Sequence, residues 1–371
     1  MKILFIAPLP PPITGHSLAA KVFYDEIIKC HQVQVINLSK DSFTEGVDSF
    51  SRIIEVFRII LDIWMAKKNA DAIYLTISES FAGNVKDLMI YLACSKNLAK
   101  MFIHLHGGSI KRRLWDRHRT LSRINKLFIK KLAGVIVSGP SHVNIFDGMI
   151  HQDKIHIVPN FAQDYLYSTE KEIVDKFSNP RPLRILFIGG LIQMKGYNDL
   201  ADAYFKLNTR LKKSVRLDFA GRFESKKQKT IFLDKIGGVE QIRYHGIVDD
   251  NEKKILFSQA HILCLPTSFF EGQPLCILEA YASGCVVITT GQRGIRDVFT
   301  DGINGFEVQE RSANSIKIIL EKIIKNPENL LNIAILNRKI AGEKYRASTY
   351  NSSLRAIIEA ARCGLAVSDE I

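Results

Sequence analysis

The sequence predicts an α/β protein built as two doubly wound parallel-sheet domains, and three observations predict it. The stretch from Ala260 to Ala282 reads as a buried apolar strand, a tight turn at Gly272 and a helix that is apolar on most sides, the strand–turn–helix unit of a parallel sheet. The chain opens in the same way, with Met1 to Pro8 as a first strand, a loop, a helix and a second strand by residue 40. The 371 residues are enough for two domains, and a charged, polar segment closed by Asn179-Pro180-Arg181-Pro182 separates two halves that each alternate strands with helices. The expected division is 1–165, a linker over 166–182, and 183–345.

In the first half, the stiff loop from Pro8 to Gly15 leads into a helix that Thr14 can cap, and Gly15 lets a ligand approach the backbone. A helix follows over Phe50 to Lys67, then a strand over Ala72 to Ile77. The polar loop after it opens another helix. Loops at the carboxyl ends of parallel strands line the cleft of such sheets, so Ser80 and Asn84 are candidate acceptor contacts. Met101 to Leu105 is a strand that runs into His106-Gly107-Gly108, and alternation puts His104 and His106 on one face. Strands over Gly134 to Val137 and Ile155 to Val158 complete this half. The second half offers strands over Leu183 to Ile188, Val215 to Ala220, Ile242 to Tyr244 and Ala260 to Pro266, with final helices reaching Glu359.

Composition narrows the function classes. Hydrophobic content of 46% and charged content of 24% are those of a globular protein, and no apolar run is long enough for a membrane-spanning helix. The amino-terminal apolar stretch is too short for a signal peptide. The scattered cysteines form no C-x-x-C pair and read as reduced thiols of a cytoplasmic protein. There is no D-x-D triplet and no compact His/Cys cluster, so neither a metal nor another cofactor is expected. The formal charge of +13 calls for phosphate-bearing ligands or an anionic membrane face. Much of it lies in 111–131, where Arg112, Arg113, Arg117, Arg119 and Arg123 alternate with Leu114, Trp115 and Leu121. Such a segment either lies on an anionic membrane or packs its apolar side on the sheet and leaves its charges in water. The apolar residues look like packing positions rather than stacking platforms, which argues against nucleic acid.

The chemistry concentrates at Glu271-Gly272-Gln273-Pro274-Leu275-Cys276 and at Glu279. Pro274 suits the first turn of a helix, and the free N–H groups of a helix start are a seat for phosphate. Carboxylates beside such a seat would repel phosphate but accept hydrogen bonds from sugar hydroxyls. One acid per sugar with a diphosphate between them fits a nucleotide-sugar. Taken alone, the same pair would be a solvated loop residue and a paired helix residue.

Glu271 to Glu279 resembles the E-x7-E motif of retaining glycosyltransferases with the GT-B architecture, of the family-four type. The surrounding Glu279-Ala280-Tyr281-Ala282-Ser283-Gly284 and Asp301-Gly302-Ile303-Asn304-Gly305 resemble it too, and the likeness is dense over the carboxyl-terminal half and sparse before it. The resemblance implies that a UDP- or GDP-linked sugar binds the second domain and a glycan or lipid-linked acceptor the first, across a cleft, with the last helix, about 346–371, returning to the first domain. It implies transfer with retention, in surface polysaccharide synthesis such as capsule, O-antigen or exopolysaccharide, in the cytoplasm or peripherally on the inner membrane face. Glu271 would hold the donor sugar, Glu279 the ribose and Lys195 the leaving diphosphate; His106 would approach the sugar or the reacting bond, Gly15 would face the diphosphate, and the turns at Arg222 and Ile247 would lie by the base. Gly190 stands where relatives carry an arginine, which leaves Lys195 the main cation, with Arg222 or Arg293 to assist. Arg112 and Arg113 fall in the acceptor half.

Two rivals from other classes share part of this pattern. A dinucleotide-dependent oxidoreductase has the same sheets, but G-x-G-x-x-G is missing after both candidate first strands. A non-catalytic polyanion- or membrane-binding protein accounts for the charge but not for the spacing of Glu271 and Glu279.

Overall fold

Apolar strands and amphipathic helices alternate through two units, which a computed structural model describes over residues 1–39 and 49–363. The first unit holds Met1–Asn160, Glu271–Gln273 and the chain from Ser348; the second holds Phe161–Phe270 and Pro274–Ala347. In the first, β1 (Lys2–Ala7), α1 (Gly15–Ile27), β2 (Gln32–Asn37), α2 (Ser49–Ala66), β3 (Ala72–Thr76), α3 (Phe81–Ala93), β4 (Met101–Leu105), α4 (Arg119–Ile129), β5 (Gly134–Val137) and β6 (Ile155–Ile157) follow in order. Their sheet is wholly parallel, in the order β2-β1-β3-β4-β5-β6. The central strands β3 and β4 are buried at every residue, which is why they read as continuous apolar runs rather than alternating ones.

The sheet order also sorts the helices. The chain moves one way from β1 to β2 and the other way from β2 through β3, β4 and β5. Right-handed crossovers therefore place α1 on one face and α2, α3 and α4 together on the other, where α2 packs beside α3 and α3 beside α4.

The second unit begins with α5 (Glu170–Ser178) and continues through β7 (Leu183–Ile188), α6 (Tyr197–Phe205), α7 (Thr209–Lys212), β8 (Val215–Ala220), α8 (Lys226–Ile236), β9 (Ile242–Tyr244), α9 (Asp250–Gln259), β10 (Ile262–Leu265), α10 (Leu275–Ala282), β11 (Val286–Thr289), α11 (Arg293–Arg296), β12 (Gly305–Glu307), α12 (Ala313–Lys325) and α13 (Leu330–Lys344). Its sheet is again wholly parallel, in the order β12-β11-β10-β7-β8-β9. The last helix, α14 (Ala347–Cys363), counts with the first unit from Ser348 onward, and the part of the expected final segment beyond residue 363 lies outside the described residues.

Two local expectations are corrected, and for Trp115 the packing alternative left open for 111–131 holds. The expected linker contains α5, started by a capping box in which Thr169 and Glu172 exchange hydrogen bonds and anchored by buried Ile173 and Phe177. Trp115 does not face solvent: it is 2% exposed and packs edge-on against Phe146, at 5.7 Å between ring centroids. Asn84 is 1% exposed and trades amide hydrogen bonds with Asn125 at 2.8 and 3.1 Å, so it ties α3 to α4 and is not open to an acceptor.

The Asp301–Gly305 turn is fixed by another buried amide. Asn337 of α13 accepts from Asn304 Nδ2 and donates to the carbonyls of Asn304 and Cys285, each at 2.9 Å. Asn337→Ala leaves these groups buried without partners and is expected to cost about 3 kcal/mol, measured as a lower urea midpoint with an unchanged slope. A loss within a few tenths of a kcal/mol would show that water replaces the amide.

Candidate active site

The carboxyl end of β4 delivers two imidazoles and α1 a third. His104 is fully buried, and its Nδ1 lies 2.7 Å from the Tyr74 hydroxyl. Its ring stacks on His106 at 3.9 Å between centroids, and His106 stacks on His16 of α1 at 4.6 Å. The alternation expected of β4 thus puts His104 and His106 on one face. Nε2 of each of the three rings is buried and takes no hydrogen bond among the described residues. Burial, reinforced by Lys86 near His16 and by mutual repulsion within the stack, lowers His16 to about 4, His104 to about 3 and His106 well below the usual imidazole value. The stack is therefore neutral at physiological pH, and a neutral His106 offers a hydrogen bond without a charge.

The loop after β4 is held by a residue that sequence reasoning missed. Glu79 Oε1 accepts from the backbone N–H groups of Ser109 at 2.5 Å and Ile110 at 2.9 Å. A Cβ on Gly107 would fall 1.7 Å from Glu79 Oε2. The segment Glu271–Gln273 lies directly on this loop. A Cβ on Gly272 would sit 2.0 Å from the carbonyl oxygen of His106, and one on Gly108 2.7 Å from that of Glu271. Gln273 Oε1 accepts from the N–H of Asn160 at 2.5 Å, and Asn160 Nδ2 donates to the Gln273 carbonyl at 2.8 Å. Glycine at 107, 108 and 272 lets two backbones touch and seats Glu271 beside the histidine stack.

The remaining candidates of this unit divide. Thr14 caps α1 as expected, accepting from Ser17 at 3.0 Å, and places Gly15 at the first position of the helix. Ser80 caps α3, accepting from the N–H of Gly83 at 3.2 Å. Arg112 and Arg113 are exposed on a short π-helical turn, Lys111–Trp115.

In the second unit, α10 starts at Leu275 with Pro274 as its N-cap rather than inside its first turn, and no side chain caps it. Glu279 of α10 is 3% exposed; its Oε1 is paired with Lys253 of α9, whose ammonium also donates to Gln163 at 3.2 Å. Its Oε2 takes no hydrogen bond among the described residues. Lys195 follows Met194, whose carbonyl accepts from the Ser268 N–H at 2.7 Å, so Lys195 is held beside the turn after β10, with its ammonium 5.7 Å from the Phe269 ring centre. Gly196 is left-handed at φ +80, and a Cβ there would meet the Pro266 carbonyl at 2.4 Å. Gly190 is open: a Cβ would touch nothing closer than Ile192 at 3.6 Å. Arg222 and Ile247 are exposed, Ile247 at 70% after left-handed Gly246. A further cation appears here. Among the described residues Arg311 is the non-glycine residue with positive φ, +54, and it donates to Ser268 Oγ at 3.3 Å. A left-handed arginine is a local outlier that no spacing pattern announces. No group of His, Cys, Asp and Glu side chains suited to hold a metal ion occurs among the described residues.

Residues 168–339 match the profile of the family described as glycosyl transferases group 1. The chain is 27% identical over 258 residues to an uncharacterized glycosyltransferase, MJ1069, of Methanocaldococcus jannaschii, a match that covers 66% of this chain and 62% of the relative, so under two thirds of that relative's length is spanned. It is 25% identical over 296 residues to an uncharacterized 41.2 kDa protein in the cps region of Klebsiella pneumoniae, covering 76% of this chain and 77% of that one. The fold is similar to the crystal structure of Anabaena Alr3699/HepE in complex with UDP-glucose, with a TM-score of 0.74 at 16% identity over 97% of this chain and all of the other. That likeness establishes the GT-B fold.

The histidine stack makes stability depend on pH. Above pH ~6.5 the three rings are neutral both folded and unfolded, and they contribute no pH dependence. Below it the unfolded chain binds protons that the folded chain refuses, so stability falls as the pH drops from ~6.5 toward 4. His261 in the second unit, lowered to about 4 mainly by burial, adds to the trend. The thermal midpoint is expected to fall between pH 7 and pH 5, and to fall less in His16→Gln. Identical pH profiles for the two proteins would show that the stack does not titrate as described.

Proposed function

We propose, from the match of residues 168–339 to the glycosyl transferases group 1 profile, that this chain is a retaining glycosyltransferase that uses a nucleotide-sugar donor and a glycan or lipid-linked acceptor. The observation that carries the proposal is the seating of Glu271 on the histidine-bearing loop, eight residues before a buried and already neutralised Glu279, with the uncapped start of α10 between them in sequence. Glu271 and the neutral His106 are suited to bind hydroxyls of the transferred sugar. Oε2 of Glu279 is suited to a ribose hydroxyl. Lys195, the N–H groups that open α10, and Arg311 are suited to the diphosphate. The exposed apolar side chain of Ile247 offers a surface to a base.

In the reaction we propose, the acceptor hydroxyl attacks the anomeric carbon on the face that the diphosphate leaves. The bond from carbon to the diphosphate oxygen breaks as the new glycosidic bond forms, and the acceptor proton passes to the departing phosphate oxygen. Positive groups fixed before the reaction stabilise the charge that builds on the leaving group, usually the largest catalytic contribution. UDP-glucose, bound by the Anabaena protein of like fold, is the first donor to test, and GDP-linked sugars the second. The cps-region relative supports a place in surface polysaccharide synthesis, and a lipid-linked acceptor would put the reaction at the inner face of a membrane.

Two predictions separate the roles. Glu271→Ala is expected to cut turnover about a hundredfold or more, on the order of 3 kcal/mol of transition-state stabilisation, with UDP binding nearly intact. Glu279→Ala and Arg311→Ala are each expected to weaken UDP binding about tenfold, roughly 1.4 kcal/mol. Small and equal effects of all three on turnover and affinity would refute the assignment. The second prediction concerns metal: activity is expected to survive EDTA, because these cations and a helix start can neutralise the diphosphate. Loss of activity on chelation that manganese or magnesium restores would reject that reading.

A further inference from the structure

We infer that the outer face of α2 is a docking surface for an anionic lipid leaflet, with its apolar anchor outside the basic segment at 111–131. Ile54, Phe57, Leu61, Trp64 and Met65 are 56, 61, 56, 49 and 54% exposed. At 3.6 residues per turn they fall within roughly 100° of the helix circumference, while Ile63 and Ala66 on the opposite side are buried. Single exposed apolar side chains are ordinary, but five large ones in a stripe on one helix mark an interaction surface. Arg58, Asp62 and Glu55 border one flank of the stripe. At its carboxyl end the ammonium groups of Lys67 and Lys68 lie 5.8 and 5.0 Å from the Trp64 ring centre. An amphipathic aromatic with cations around it is suited to the level of lipid headgroups.

The neighbouring helices extend the surface. α3 and α4 lie in the same layer, and Leu92 and Leu127 are exposed on them at 65 and 56%. α4 adds exposed Arg119, Arg123, Lys126 and Lys130. This charge selects the occupant. A second copy of the chain would bring the same cations up against one another, which opposes association. An anionic leaflet would neutralise them while its acyl region receives the apolar stripe. Trp115 lies in the core, so the apolar part of the contact comes from α2, with α4 as the electrostatic margin. The inference rests on the proposed lipid-linked acceptor only for why a membrane is useful; the surface is read from α2 itself.

The test uses vesicles of phosphatidylglycerol and phosphatidylcholine beside vesicles of phosphatidylcholine alone, with no donor or acceptor present. The chain has two tryptophans, and Trp115 is already buried, so a change in emission on binding reports Trp64. The expected result is co-sedimentation with the anionic vesicles at low salt, a blue shift of the emission that persists in Trp115→Phe, and release by added salt. The triple variant Phe57→Ser, Leu61→Ser, Trp64→Ser is expected to lose at least tenfold in partitioning while keeping the wild-type thermal midpoint, as exposed positions should. Undiminished binding by the triple variant, or no response of Trp64, overturns the inference. So does a lipid-independent dimer that the triple variant dissolves, which would assign the face to a second copy. Since no sugar transfer is measured, failure here leaves the transferase reading standing, and a failed transfer assay leaves this inference standing.

Discussion

The approach of two backbones at Gly272 constrains everything around the candidate site. With 2.0 Å between the place of a Cβ and the carbonyl oxygen of His106, no side chain fits at 272, and the same holds at Gly107 against Glu79 and at Gly108 against the Glu271 carbonyl. Gly272 and Gly108, each with a backbone carbonyl where a methyl group would go, make a contact that only bare backbone can form, while Gly107 makes room for the Glu79 carboxylate. Glu271 inherits its position from that contact. Glu79 secures the other side of the loop through the N–H groups of Ser109 and Ile110, and Asn160 clamps Gln273 from both ends of its residue.

Charge is divided between the units in a consistent way. The first unit gathers imidazoles that burial keeps neutral, so the histidines by the loop that meets Glu271 add no positive charge. The second unit gathers the cations Lys195, Lys253 and Arg311, of which Lys195 and Arg311 lie by the turn after β10 and Lys253 pairs with α10. Gly190 is open, with space for a side chain, while Arg311, in a left-handed conformation, reaches Ser268 from another loop.

Sequence periodicity was most readable where burial is symmetrical. β3, β4, β10 and β11 are buried on both faces and appear as unbroken apolar runs, so their number and order followed from the chain. The Glu271–Glu279 spacing was legible because a turn and a helix start impose it. What escaped was decided by long-range packing. Trp115 looked amphipathic among arginines, yet its ring fits against Phe146. Asn84 looked like a loop residue and is an internal brace to Asn125. The segment around Thr169 looked like a linker because it is charged, although Thr169 and Glu172 form a capping box. The apolar stripe of α2 was visible as helical spacing, but sequence cannot say which of two apolar faces a sheet will cover, and here α2 has apolar residues on both.

Glu279 shows how a structural reading and a ligand-binding reading can both hold for one residue. A carboxylate buried on α10 without a partner would be forced toward its neutral form. Here Lys253 pairs with one oxygen, and Gln163 shares the ammonium. Breaking such a pair costs several kcal/mol because the remaining charge is stranded, so the pair is itself part of the fold. The pairing also fixes the carboxylate plane and leaves the second oxygen held in one direction. Under the proposed nucleotide role the lysine would act on a ribose hydroxyl through the glutamate, by holding it still, and α9 would belong to the site as much as α10.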